Sequence, residues 1–319
     1  MLTAPTVRLC RPALVLACAL LLGVEGGAAQ DAAQTWAERV AAMETPEVRR
    51  RVAAVNVGGT AALVLGRGVA EGAVRSLGDG AEALAWGAAS GGAFYAAKAL
   101  AGREHAALGY GLAIVAASVA ENAAGDTGPL SHLRLPVGPV DLRVRTPFAR
   151  EGRRSGVRGG VENLAVELDP VALVAAVAIP LSGGRPQLRR GVPVWAFDDL
   201  GGRPGYTRRG RTMGRTILIE ADAAPPVLAH EMIHRIQGMQ VAAVTPYGTL
   251  GAILPGDVTA ADGAVVGDVR AEWFYGVQVA LWAALTDYLG RWPEIEARAL
   301  DEPPRPPPAL LVPIPVIRR

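Results

Sequence analysis

Residues 227–237 read Val-Leu-Ala-His-Glu-Met-Ile-His-Arg-Ile-Gln, so one His has a Glu beside it and a second His four positions on. On a helix His230 and His234 project from the same face, and two imidazoles at that spacing can fill two corners of a tetrahedral zinc site. Glu231 lies ~100° further round the helix. From there it reaches a water on the metal rather than the metal itself. Zinc lowers the pKa of such a water towards neutrality, which makes Glu231 the candidate general base. The whole chain holds 4 His, so composition alone makes this spacing uncommon. The competing reading is an ordinary amphipathic helix whose imidazoles face solvent or pair with acids. Val227, Leu228, Ile233 and Ile236 argue against it, because they make the helix apolar enough to be buried. A buried polar group without a partner costs about 1–3 kcal/mol, and zinc satisfies both imidazoles at once.

The third ligand is harder to place. Gln237 and Gln240 stand where a metzincin pattern has its Gly and third His, which removes that class. His105 and His132, the other two, both precede the motif. A carboxylate from the next predicted helix, 264–290, is then the natural donor. Glu272 is the best candidate, since it shares a stripe with Val265, Val269, Gly276, Val279 and Ala283. That stripe should pack inward, and one carboxylate within it is costly unless a cation meets it. Asp268, one turn earlier, is the runner-up ligand or a supporting partner. A salt bridge from Glu272 to Arg270 or Arg235 is the structural alternative.

His-Glu-x-x-His on one helix with a Glu on the following long helix resembles the gluzincin branch of the zincin metallopeptidases, over about residues 212–290. The resemblance implies bound Zn2+, a peptide or protein substrate, and a sheet-edge strand before the zinc helix that holds extended peptide. Here that strand would be "TMGRTILIE", 212–220. Many members carry an Asp four residues after the Glu ligand, where this chain has Gly276. Support for the ligands must therefore come from elsewhere. The group's oxyanion helper is a His or Tyr, for which Tyr247 and Tyr275 are the candidates here, with Arg270 another.

These residues need elements to hold them. Pro225 and Pro226 suit the first turn of a helix, where backbone N–H groups lack acceptors anyway, and the helix should run from Pro226 to about Val244, before Pro246. Upstream, 35–57 reads as helix broken at Thr45-Pro46. The apolar runs 84–97 and 106–120 follow, divided by the charged turn "KALAGREH". Gly87/Gly91 and Ala113/Ala117 let two helix backbones approach closely. Each uncharged run is shorter than the ~17–25 residues that span a bilayer, which favours a buried hairpin over an inserted one. Alternation in 132–146 around Pro-Val-Gly-Pro predicts strands. A buried helix is expected over 169–184 and strands over 187–199 and 212–220. The fold class expected is α+β and zincin-like: a small, twisted, mostly antiparallel sheet with the His-bearing helix, preceded by a Gly/Ala-rich hairpin.

At the start of the chain, Arg8 and Arg11 precede an apolar run, Ala13–Val24, and the small residues Gly27-Ala28-Ala29. That is the layout of a secretory signal peptide over 1–29. It implies export to the periplasm or cell envelope, with a lipid anchor at Cys18 as the second reading. Cys10 and Cys18 are the only thiols, so the mature chain would have neither thiol nor disulfide. The remaining divisions are a helical region 30–126, a metal-binding region 127–290 and a Pro-rich tail 291–319. A net charge of +2 gives no warrant for nucleic acid or an anionic membrane. The Arg cluster 149–160 reads as a solvated loop. The function expected is zinc-dependent peptide hydrolysis. Its rivals are a non-catalytic, zinc-stabilised envelope protein and a membrane-associated one with the 84–120 hairpin in lipid.

Overall fold

Small residues decide how the helices meet. The computed structural model describes residues 36–103, 105–125, 127–149, 164–168, 170–201, 209–244, 257–259, 265–269 and 292–300. The chain breaks at Thr45-Pro46 as expected. Helix α1 (Trp36–Met43) ends there, and Thr45 caps helix α2 (Pro46–Ala70) by accepting from the Val48 amide at 3.3 Å. One turn of α2, Val55–Gly59, is π-helical. Helix α3 (Leu77–Gly102) opens with a capping box between Ser76 and Asp79, and α4 (Ala106–Ala124) returns against it. A Cβ on Gly91 would lie 2.2 Å from the Asn56 carbonyl of α2, and one on Gly109 would lie 2.5 Å from the Ala97 carbonyl of α3. Backbone therefore meets backbone at both contacts, and no larger residue fits. Both α2 and α4 are long and apolar enough to cross a membrane, although 56% of the α4 window is buried within the protein and 39% of that in α2.

The protein is α+β, with two small, mostly antiparallel sheets. The first runs β1 (His132–Val137), β2 (Val140–Arg145), β3 (Leu164–Leu168), β9 (Val265–Val269), β8 (Asp257–Thr259), with only β3–β9 parallel. The second runs β4 (Arg185–Arg189), β5 (Val192–Phe197), β7 (Thr216–Glu220), β6 (Gly210–Met213), with only β5–β7 parallel. Helix α6 (Pro225–Val244) carries the His pair and is packed on α3, α4, β6 and β7. Helix α7 (Trp292–Leu300) closes over α6, α2, α3 and α1.

Five sequence expectations change. The strand expected over 212–220 is a hairpin, because Gly214 at φ 55 turns the chain between Met213 and Thr216. The strand over 187–199 is likewise a hairpin, with Arg190 and Gly191 at φ 49 and 76 supplying the two left-handed turn residues. Residues 265–269, expected to start a helix, form β9. Three of the five are Val, and backbone pairing on both sides overrides the helical stripe. The rest of 264–290 lies outside the described residues. The tail drawn from 291 begins with a helix, α7, because Pro293 sits in a first turn followed by good helix formers. Finally, α5 (Pro170–Leu181) is apolar yet turns Val174 (67% exposed), Val177 (59%) and Leu181 (83%) outward, burying only Ala172 and Ile179 among its described residues.

Candidate metal centre

Helix α6 is buried along most of its length, and its His230, Glu231 and His234 are each less than a tenth exposed. The ring nitrogens face one another: His230 Nε2 and His234 Nε2 lie 3.1 Å apart, with the rings nearly perpendicular at 88°. Glu294 of α7 meets both, Oε2 at 3.3 Å from His230 Nε2 and Oε1 at 3.2 Å from His234 Nε2. Two imidazoles and a carboxylate all turn acceptor atoms to one point, which only a proton or a cation can satisfy. Zinc–ligand bonds of ~2.0–2.1 Å at tetrahedral angles set ligand atoms ~3.3 Å apart. The separation of the two ring nitrogens is close to that edge length, and each nitrogen lies at a similar distance from a different oxygen of Glu294. His230, His234 and Glu294 thus form a buried group able to hold a metal ion.

Electrostatics agree with the geometry. Burial pulls the His234 pKa down, but the hydrogen bond to Glu294 and its charge, with the Glu231 charge beyond, outweigh this and push it up to about 9. Burial raises the Glu294 carboxyl, and bonds from both imidazoles overcome that and hold it well below the usual carboxylate range. Without metal, the site therefore keeps a proton where the metal would sit.

Glu231 is held from the sheet. Thr212 on β6, the edge strand, hydrogen-bonds to Glu231 Oε2 and to its carbonyl, each at 2.8 Å. Two residues earlier on β6, a Cβ on Gly210 would come within 2.7 Å of Glu231 Cγ. Only Gly lets β6 lie this close to the carboxylate. Of the edge strand anticipated over 212–220, only Thr212 and Met213 lie on the edge strand β6, while 216–220 form β7 inside the sheet.

The structure groups His230 and His234 with Glu294, which the sequence reading did not name, and sets Glu231 on the same helix beside them. Glu272, Arg270, Tyr247 and Tyr275 lie outside the described residues. Asp268 falls on β9, opposite Glu167 of β3. Arg235, considered as a partner for Glu272, donates to the Tyr110 hydroxyl at 2.6 Å and lies over its ring at 4.2 Å. Lys98, the only Lys, was expected in a charged turn. It is inside α3, 1% exposed, and paired with Glu296 of α7 at 2.8 Å. The signal that could have found Glu294 and Glu296 is "WPEIEARAL", a Pro-initiated amphipathic segment masked by the Pro-dense run after it. No protein-family profile matches the chain, and no curated protein or solved structure does either.

Proposed function

We propose that this chain is a zinc-dependent hydrolase of the zincin kind, exported from the cytoplasm and acting on peptide bonds. The observation that carries the reading is the convergence of His230, His234 and Glu294 at tetrahedral ligand spacing, with Glu231 anchored beside them. When bound, zinc would polarise the substrate carbonyl and acidify a water. His230 and His234 would hold the ion as neutral rings, and Glu294 would contribute the negative charge. Glu231, with Thr212 occupying Oε2, has Oε1 to take a proton from the attacking water and later deliver it to the leaving amine. Among the described residues nothing pairs with the outer edge of β6, so an extended peptide can add to the sheet there.

A second reading has its own observation. All four site side chains are less than a tenth exposed, as in a metal site that stabilises a fold without turnover. One set of proteins separates the two. The purified protein should contain one zinc per chain by elemental analysis, retained in Glu231→Gln and Glu272→Ala and lost in His230→Ala and Glu294→Ala. Peptidase activity present in the wild type and abolished in Glu231→Gln supports catalysis. Zinc without any hydrolysis across a peptide library supports the structural role. Absence of zinc after refolding with metal overturns both.

A further inference from the structure

The missing support for the zinc ligands, which Gly276 left open, has a replacement inside the helical layer. Gln237, three residues after His234, places Oε1 2.8 Å from His234 Nδ1. Its Nε2 donates to the Pro293 carbonyl at 3.0 Å and to Glu296 Oε2 at 2.7 Å. A main-chain carbonyl and a carboxylate only accept, so the amide nitrogen must face them and the amide oxygen must face the ring. That oxygen has no proton to give. The ring must therefore donate through Nδ1, which leaves Nε2 bare when the imidazole is neutral.

Glu296 is held as an acceptor from its other side. Lys98 Nζ donates to Oε1 at 2.8 Å, and the Asn56 amide nitrogen donates to the same oxygen. Asn56 is oriented in turn, since its Nδ2 also donates to the Val52 carbonyl at 2.8 Å while its Oδ1 accepts from Lys98 at 2.8 Å. The relay thus ends in main-chain carbonyls, Val52 on α2 and Pro293 on α7, and these cannot be flipped. Asn56, Lys98, Gln237 and Glu296 are all nearly fully buried. A buried ion pair gains little stability over apolar residues of the same size, so its stability alone does not explain why Lys98 and Glu296 stand here.

We infer that Glu296, acting through Gln237 and fixed by Lys98 and Asn56, sets the proton of His234 on Nδ1 and so aims its Nε2 lone pair into the metal site. These are positioning residues, and the inference rests on the metal reading above. In Glu296→Gln an amide replaces the carboxylate. Its oxygen goes to Lys98 and its N–H groups face Gln237, so only the Pro293 carbonyl still holds the Gln237 amide, and the reversed amide with an Nε2–H ring becomes more populated.

The test combines two readouts. Nitrogen-15 NMR of the metal-free protein, at a pH well above the His234 value of about 9 so that the ring is neutral, reads the tautomer directly. Competition with a chromogenic chelator reads zinc affinity. The wild type should show Nδ1–H. Glu296→Gln should show a shift towards Nε2–H and bind zinc 10- to 100-fold more weakly, the usual cost of losing such a partner. Lys98→Met/Glu296→Met removes the ion pair without leaving a lone charge. It should fold with some loss of stability, because Asn56 Oδ1 and Gln240 Oε1 lose their donor, yet show a loss of affinity out of proportion to that change and a mixed tautomer. A purely packing role predicts affinity that follows stability instead. Nε2–H in the wild type, or unchanged tautomer and affinity in both variants, overturns the inference even if zinc binds. Nδ1–H in a wild type that binds no zinc defeats the metal reading and leaves the proton lock standing.

Discussion

Two buried polar clusters of the fold are built on opposite terms. At the metal end, His230, His234 and Glu294 turn three acceptors to one point. In the arginine cluster, Asp141 of β2 sits between two guanidinium groups. It accepts from Arg134 Nε at 2.7 Å and from Arg215 Nη1 at 2.7 Å, while Glu121 of α4 pairs with Arg143. The arginine cluster joins α4, the β1–β2 hairpin and the β6–β7 turn, and its carboxylates are met by cations from the protein itself. The metal end leaves its cation to be supplied. One cluster serves to hold elements together, while the other is set to receive something.

Breaking the arginine cluster should have the largest effect. Asp141→Ala leaves two buried guanidinium groups without their shared carboxylate, and such a loss costs about 3–5 kcal/mol. The denaturation midpoint should fall accordingly, with or without zinc. A loss below about 1 kcal/mol would sink the contrast between the clusters. By comparison, on the metal reading proposed above, chelation should lower stability only by what binding adds, about 2.7 kcal/mol at a hundredfold excess over Kd.

pH should separate the two clusters. In the metal-free protein His234 is raised from 6.5 to about 9. Its contribution is therefore complete below 6.5 and is lost as pH rises from there through about 9. Asp141 moves the other way. Burial raises its pKa, but the charges and hydrogen bonds of Arg134 and Arg215 bring it below 3.8, so its contribution is present above that value and disappears in acid. Glu294 is lowered too and adds to the acid loss. Thermal melts should therefore show an alkaline decline in chelator that zinc removes, and an acid decline that zinc cannot prevent. An alkaline decline identical with and without zinc would place its origin outside the metal end.

The smallest expected effect sharpens the comparison within the site. Thr212→Val removes the hydroxyl that holds Glu231. It should cost about 1 kcal/mol of stability, leave zinc affinity unchanged, and lower kcat about tenfold through misplacement of the base. Weaker zinc binding in this variant would mean that Thr212 supports the ligands rather than Glu231.

What could be read from the sequence follows from how local each signal is. His230, Glu231 and His234 share one helix, so spacing alone brings them together. The α3–α4 hairpin was legible from its two apolar runs, but the small residues singled out on the first, Gly87 and Gly91, meet α2 instead, and the close α3–α4 contact falls at Gly109. Hairpins were misread as single strands where one glycine turned the chain, since Gly214 interrupts only slightly a run rich in strand formers. Glu294 could not be found by spacing, because the contact that recruits it is tertiary and its own segment adjoins a Pro-rich run. Lys98 was misjudged for a related reason. A lone charge beside an apolar run looks like a turn until its partners Glu296, Asn56 and Gln240, all distant in sequence, are known.

The bond between Asn56 and Glu296 closes a span of 240 residues. During synthesis, α2 and α3 emerge long before α7, so Lys98 waits 198 residues for Glu296, while the His pair waits a shorter stretch for Glu294. The metal-binding group exists only once the last described helix has docked. Zinc uptake would thus report completion: a chain interrupted before residue 294 has both imidazoles and cannot assemble the site.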